Sequence, residues 1–78
     1  MNRKRVSATM DYLVIYEQGE RSIGAYVPDL PGCVAFAETE AEVRTLIREA
    51  VALHVEDMRK TGQPVPSPTS RADLVRVA

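Results

Sequence analysis

The sequence predicts a small α+β domain in which an antiparallel three-stranded meander is followed by one helix and one more strand, in the order β-β-β-α-β. Two observations predict this class. Short runs rich in β-branched and aromatic residues, separated by Gly and Pro, fill the first half of the chain. A long segment with helical periodicity follows them. One helix covers only one face of such a sheet, so the other face is expected to stay open.

The three strands of the meander are predicted in turn. Residues 10–17, MDYLVIYE, form the first, which ends at a loop signal around Gly19. Residues 22–28, SIGAYVP, return as the second strand of a hairpin, and Pro28 closes it because proline cannot donate to a strand ladder. Residues 33–38, CVAFAE, form the third strand after the turn DLPG.

The helix has a marked beginning and end. Thr39 occupies the N-cap position and Glu42, three residues later, completes a capping box. Gly62 is the natural stop, so the helix is predicted from about Glu40 to Thr61. Its apolar residues recur at helical spacing and should lie on the sheet. This stripe consists of Val43, Ile47, Ala50, His54 and Met58, with Leu46 and Leu53 flanking it.

The residues after the helix divide into a connector and a strand. Residues 63–70, QPVPSPTS, contain three prolines and are predicted to be an extended connector. The alternative is that this segment is a Pro-rich ligand that another protein recognises. Residues 71–78, RADLVRVA, alternate enough to form the fourth strand. Because this strand is short, apolar and terminal, it suits pairing with a copy of itself. A homodimer is expected, and a tetramer is the alternative.

Length and charge bound the class of protein. A chain of 78 residues is one domain, predicted over 10–78, after a basic and flexible segment at 1–9. Ten Lys and Arg oppose eleven Asp and Glu, a balance that argues against a nucleic-acid footprint over the whole domain. The sequence contains no signal-peptide core and no membrane span, so a cytoplasmic location is expected. Nucleic-acid contact remains the alternative for the N-terminal cluster of Arg3, Lys4 and Arg5.

Cysteine and histidine are too few for most metal or nucleophilic chemistry. Cys33 and His54 are the sole residues of their types, which excludes an internal disulfide and an ordinary zinc site. Cys33 is interpreted as a small apolar side chain at the start of a strand. His54 lies on the helical stripe and is more simply a packed or interface residue than a general base. No cofactor is expected.

Carboxylates are the remaining candidates for catalysis, because β-β-β-α-β is the order that opens the RNase H fold. Its metal-dependent nucleases need several acids around two ions about 4 Å apart. Asp11 and Glu17 share a strand face, but a rise of about 3.3 Å per residue separates their Cα atoms by about 20 Å. Asp11 with Glu42 would supply only two acids. A cryptic nuclease is therefore the weakest hypothesis, and the protein is expected not to be an enzyme.

The strand pattern suggests an interface on the open face of the sheet. Alternation separates the tyrosines of the first strand from Leu13 and Ile15. If those two side chains pack under the helix, the tyrosines face away from it. Tyrosine is enriched at protein interfaces, although it also occurs as an ordinary strand former with a wet hydroxyl. The predicted interface residues on this face are Tyr12, Tyr16 and Tyr26.

Several motifs together resemble the HicB-like antitoxin family over about residues 10–78. They are YLVIYE, then GAYVPDLPGCVAFAETEAEV, then a helix ending in DMRKTGQPVP, and the pair PDLPGC and GQPVP at this spacing is the specific part. The resemblance implies a degenerate RNase H-like fold without catalytic acids, and a protein that neutralises a small, basic, RNA-cleaving toxin of the HicA type. Many members continue into a DNA-binding segment, and this chain resembles the short form without one.

Two sets of site residues follow from these interpretations. The turn that carries the PDLPGC motif, here called the family corner, is expected to serve mainly as a rigid structural turn. Asp29 and Leu30 within it are expected to be exposed enough to touch a partner. The family corner comprises Pro28, Asp29, Leu30, Pro31, Gly32 and Cys33. Acidic helix residues should complement a basic toxin, and they are Glu49, Glu56 and Asp57. The alternative function is an orphan HicB-like homo-oligomer that acts as a nucleic-acid-binding regulator.

Overall fold

A computed structural model describes residues 9–78 of the chain, and the basic cluster of Arg3, Lys4 and Arg5 lies outside the described residues. Three strands and one helix follow each other in the predicted order, and every strand is shorter than the sequence run that predicts it. The elements are β1 (Ile15–Gln18), β2 (Ile23–Tyr26), β3 (Val34–Ala37) and α1 (Glu40–Lys60). The α+β class and the order β-β-β-α are confirmed.

The strands form one antiparallel sheet in the order β1-β2-β3, as the meander predicts. Tyr16 pairs with Ala25, and Ala25 pairs with Ala35. Partners in antiparallel strands lie on the same face, so these residues define the face toward the helix. The neighbouring row defines the opposite face of the sheet, and it runs through Ile15, Tyr26 and Val34.

Both ends of α1 are capped as the sequence predicts. The Thr39 side chain accepts a hydrogen bond from the Glu42 amide at 3.2 Å, and its hydroxyl donates to the Glu42 carboxylate at 2.9 Å. At the other end the Gln63 amide donates to the Met58 carbonyl at 2.8 Å. Gly62 has a φ of 75°, the left-handed geometry that closes a Schellman motif. Local chemistry alone therefore sets the bounds of the helix.

The core lies between α1 and the sheet, where the helix packs on β2 and β3. Val43, Ile47 and Val55 are buried from the helix side, and Ala25 and Val27 from the sheet side. Two further residues of the predicted stripe, Ala50 and Met58, are partly buried and pack against this core. The two leucines expected to flank this stripe do not contribute to it, since Leu46 is 42% and Leu53 65% exposed.

The prediction for the faces of the first strand is wrong. Tyr12 and Val14 pack against the core, and Tyr16 lies on the helix side with Arg44 5.5 Å from its ring centroid. Ile15, expected under the helix, pairs with Tyr26 on the open face. Because both rows of this strand are apolar, alternation could not indicate which row the helix covers. Of the three tyrosines, Tyr26 alone lies on the open face.

The predicted fourth strand is not formed within the single chain. Residues 71–78 carry no strand and no helix, and all of them are exposed. The described chain has a radius of gyration of 15.4 Å, whereas a compact domain of this size has about 11 Å. A strand needs a neighbour for its backbone hydrogen bonds, and this segment has none among residues 9–78. We call residues 71–78 the C-terminal arm.

Candidate protein-binding surfaces

The family motif PDLPGC forms a rigid corner between β2 and β3. The Leu30 amide donates to the Val27 carbonyl at 3.0 Å, and the Cys33 amide donates to the Leu30 carbonyl at 3.0 Å. The Val27 amide closes the turn by donating to the Cys33 carbonyl at 3.2 Å. Gly32 has a φ of 88°, a conformation that side chains with a Cβ adopt only with strain. The segment satisfies its own backbone and needs no partner to hold its shape.

Two residues of this corner cannot touch a partner. Leu30 has no exposed surface and Cys33 is 3% exposed, because both point inward and pack in the core under α1. The prediction that Leu30 is available to a partner is therefore wrong. Burial also raises the pKa of the Cys33 thiol, which keeps it protonated and unreactive at neutral pH. Pro31 and Gly32 are exposed and remain accessible at the tip.

Asp29 holds the connector against the corner. Its carboxylate accepts the Thr69 and Ser70 amides at 2.9 Å each, and their hydroxyls at 3.2 and 2.8 Å. These bonds lower the pKa of Asp29, with the Ser70 amide as the largest cause. We call this arrangement the Asp29 clamp. The sequence does not indicate this clamp, because Thr69 and Ser70 follow Asp29 by 40 and 41 residues along the chain.

The helix presents a second stripe to solvent, alternately acidic and apolar. Its residues recur at spacings of four and three, so they follow one side of α1. The two leucines are 42% and 65% exposed, and all three glutamates are exposed. We call this stripe the outer helix face. It consists of Glu42, Leu46, Glu49, Leu53 and Glu56.

The predicted acidic residues are thus divided between two places. Glu49 and Glu56 lie on the outer helix face, one on either side of Leu53. Asp57 is exposed but lines a hollow at the corner together with Leu30 and His54. Sequence reasoning found the acids and missed the leucines, since a leucine at helical spacing beside an apolar stripe is usually a core residue. Both Glu and Leu recur every seven residues along this part of the sequence, and that spacing could have indicated that the leucines lie on the same side of the helix as the glutamates.

The open face of the sheet is a third exposed surface, and it is apolar rather than charged. Val34 is 51% and Phe36 68% exposed, while Ile15 and Tyr26 are half-buried beside them. The Phe36 ring lies across Gly24, where an added Cβ would come within 3.1 Å of it. Glycine at this position lets the ring lie flat on the strand.

The candidate residues for metal or nucleophilic chemistry lie apart from one another in the described residues, since Cys33 is buried in the core and His54 lies at the surface of the corner. His54 is half-buried in the corner hollow, whose other lining residues are Leu30, Pro31, Asp57, Met58, Gln63 and Pro66. Among residues 9–78 no three of His, Cys, Asp and Glu come together in a way that could hold a metal ion. No helix in this same part of the chain is long and apolar enough to cross a membrane. The apolar side chains exposed on the outer helix face and on the open sheet face make these two surfaces the candidates for contact with another macromolecule.

Comparison with known proteins agrees with the resemblance drawn from the motifs. A family model described as the HicB-like antitoxin of bacterial toxin-antitoxin systems matches residues 12–77. The match begins before β1, contains the corner, α1 and the connector, and extends to Val77 in the C-terminal arm. No curated protein and no solved structure matches the chain.

Proposed function

Because the chain belongs to the HicB-like antitoxin family of bacterial toxin-antitoxin systems, we propose that it binds and neutralises a small, basic, RNA-cleaving toxin of the HicA type. The protein acts by binding and not by catalysis: it covers the surface through which the toxin engages RNA. The observation that carries this proposal is the outer helix face, where exposed leucines alternate with glutamates on one side of α1.

Charge supports a basic partner for this face. A protein that cleaves RNA has to present cations to the phosphate backbone, and those cations are attracted to a row of carboxylates. Glu42, Glu49 and Glu56 form such a row at intervals of two helical turns. Within the described residues, Lys60 approaches this row at its end, with its ammonium 4.0 Å from the Glu56 carboxylate. An exposed pair at that distance is weak, so Glu56 remains free to exchange partners.

The leucines supply the apolar part of the interface. A patch of polar groups alone binds weakly, whereas buried apolar anchors inside a polar rim give most of the affinity. Leu46 and Leu53 are seven residues apart, about 10 Å along the helix axis. The stripe from Glu42 to Glu56 is about 21 Å long. Such a stripe with its flanks can form one side of a standard interface, roughly 800 Å² per partner.

The test is recovery of the tagged chain from its own cells at native level, with mass spectrometry of the proteins that accompany it. We expect a stoichiometric basic partner of fewer than about 100 residues, the size of one small domain. The same recovery is then made with Leu46→Asp and Leu53→Asp combined. This variant should lose the partner, since it adds charge to the apolar anchors and like charge to the acidic row.

The matched control carries the same chemical change on the open sheet face. Val34→Asp with Phe36→Asp alters two side chains of similar exposure, 51% and 68% against 42% and 65%. Circular dichroism should first establish that both variants keep the helical signal. The control should retain the partner. Loss of the partner by the sheet variant alone would move the interface to the open face, and recovery of no partner by the unaltered chain would refute the antitoxin role.

A further inference from the structure

We propose that the C-terminal arm is the fourth strand of a sheet completed between two copies of the chain. The arm of one copy pairs with the free edge of β1 in the other, and the exchange is reciprocal. The occupant of the β1 edge is thus a second copy of this same chain, with or without a toxin present. This inference does not depend on the proposed function, because it rests on the C-terminal arm and on the free edge of β1, neither of which belongs to the outer helix face.

The arm has the composition of a strand, but it pairs with no strand in the part of the chain that the structure describes. Leu74 is 97% exposed, and Val75 and Val77 are 83% exposed each. Among residues 9–78 the hydrogen bond found in the arm is a local one, from the Leu74 amide to the Asp73 carboxylate at 2.8 Å. Three large apolar side chains in one exposed segment are a template for pairing with another chain.

The start of the arm is held in place by two contacts of the connector. The Tyr12 hydroxyl donates to the Pro66 carbonyl at the β1 side of the sheet. Four residues later the Asp29 clamp fixes Ser70 at the corner between β2 and β3. The connector thus crosses the end of the sheet away from β1 before the arm begins. An extended arm of eight residues reaches about 26 Å from that point, and the described chain is 53 Å along its longest axis.

The acceptor is an open trough between β1 and the helix. Because α1 packs on β2 and β3, the helix side of β1 is left partly uncovered. Two adjoining hollows on this side share Met10, Tyr12 and Val51 in their linings. We call them together the β1 trough. Its apolar lining includes Met10, Tyr12, Val14, Val51 and Val55, together with Leu53, which belongs to the outer helix face as well.

The side chains of the arm match the two sides of the β1 edge. Alternation places Val75 and Val77 on one side of an extended arm and Leu74 on the other. With the valines in the β1 trough, Leu74 lies beside Ile15 and extends the apolar open face. β3 is the other free edge, but it already lies beneath the helix. A strand added beyond it would therefore find less helix surface to pack against.

Reciprocal exchange makes a closed dimer. In a two-fold arrangement each contact occurs twice, so two arms and two troughs bury their apolar surface at once. The exchange also supplies the strand that the sequence predicts at 71–78 and that the single chain does not form. The fourth strand then forms between two copies. Its strand-like composition explains why the sequence predicts it, and the need for a second copy explains why the single chain does not form it.

Thiol cross-linking locates the arm. Cys33 is replaced by Ala in every variant, and single cysteines are introduced as Asp11→Cys beside β1, Val77→Cys in the arm, or Thr45→Cys on the outer side of the helix. Equimolar mixtures are treated with a short bis-maleimide, which tolerates the unspecified strand register. We expect a cross-linked pair from Asp11→Cys with Val77→Cys, and little product from Thr45→Cys with Val77→Cys. Equal yields in both mixtures would overturn the proposal.

Sedimentation equilibrium measures the contribution of the arm. The unaltered chain should be a dimer at micromolar concentration, and Val75→Asp with Val77→Asp should weaken dimerisation by about 100-fold or more. A control with the same added charge, Ala72→Asp with Ala78→Asp, should dimerise as the unaltered chain does. Circular dichroism checks that the helix persists in both. A chain that stays monomeric, or a dimer that survives the valine substitutions, would contradict arm exchange.

Discussion

Truncation of Leu30 to alanine tests whether the family corner is a structural element. Leu30 has no exposed surface and belongs to the same buried cluster as Val43 and Ile47 of the helix. The amide and the carbonyl of Leu30 both close turns within the corner, and Leu30→Ala leaves those backbone bonds in place. The substitution therefore isolates the packing of one side chain.

The expected loss can be set from the surroundings of this side chain. Leucine-to-alanine changes in buried cores cost about 2–5 kcal/mol, depending on how far the site collapses. Leu30 also lines the corner hollow with Met58, a flexible side chain that can move into part of the space. We therefore expect the lower part of the range, about 2–3 kcal/mol. For a chain of 78 residues the total stability is about 4–12 kcal/mol, so the loss is a large fraction.

Urea denaturation followed by circular dichroism is the assay. With a slope of about 1 kcal/mol per molar urea for a small domain, the midpoint should fall by about 2–3 M. Pro31→Ala is the matched control, since Pro31 is exposed beside Leu30 and should shift the midpoint far less. A fall of under about 0.5 M for Leu30→Ala, equal to that of the control, would refute the interpretation of the corner as part of the core.

Two further predictions concern the clamp and the helix terminus. The pKa of Asp29 is lowered in the folded chain, chiefly by the Ser70 amide, so the clamp stabilises fully above the ordinary carboxyl pKa of about 4 and is lost as pH falls through the lowered value. The difference in urea midpoint between the unaltered chain and Asp29→Asn should therefore be present at pH 7 and shrink toward pH 2; an undiminished difference would exclude the charge as its source. Gly62→Ala should cost about 1 kcal/mol because its φ of 75° disfavours a Cβ. The melting temperature should then fall by about 4–8 °C, and an unchanged value would argue against the Schellman geometry.

Elements defined by local chemistry were predicted well from the sequence. The N-cap at Thr39, the stop at Gly62 and the turn around Gly32 each depend on residues within a few positions of one another. Their interactions are short in sequence, so the pattern of residue types is enough to place them. The strand-like runs and the helical periodicity that follows them also predicted the order of these elements, which the described structure confirms through α1.

Features that depend on distant contacts were not predicted. The face of β1 toward the helix depends on a register that apolar residues on both faces leave undecided, so Tyr12 and Ile15 were assigned to the wrong sides. The Asp29 clamp joins segments 40 residues apart. The C-terminal arm has the composition of a strand, but composition does not state which chain provides the neighbouring strand.

The candidate surface was predicted in part for the same reason. Exposed acids such as Glu49 and Glu56 are read directly from sequence, because charged residues rarely lie in a core without a partner. Leu46 and Leu53 required the structure, since only the actual position of the helix on β2 and β3 shows which apolar side chains it leaves in solvent. The alternation of these two residue types on one stripe became visible once both were placed.

The most direct test of the antitoxin role is the RNA-cleaving activity of the recovered partner, measured alone and with one equivalent of this chain. The partner alone should cleave RNA, and the complex should not. The variant with Leu46→Asp and Leu53→Asp should fail to inhibit at the same concentration. Full cleavage by a stable complex would show that the RNA-binding surface remains open, and it would contradict the proposal that this chain neutralises a toxin by covering that surface.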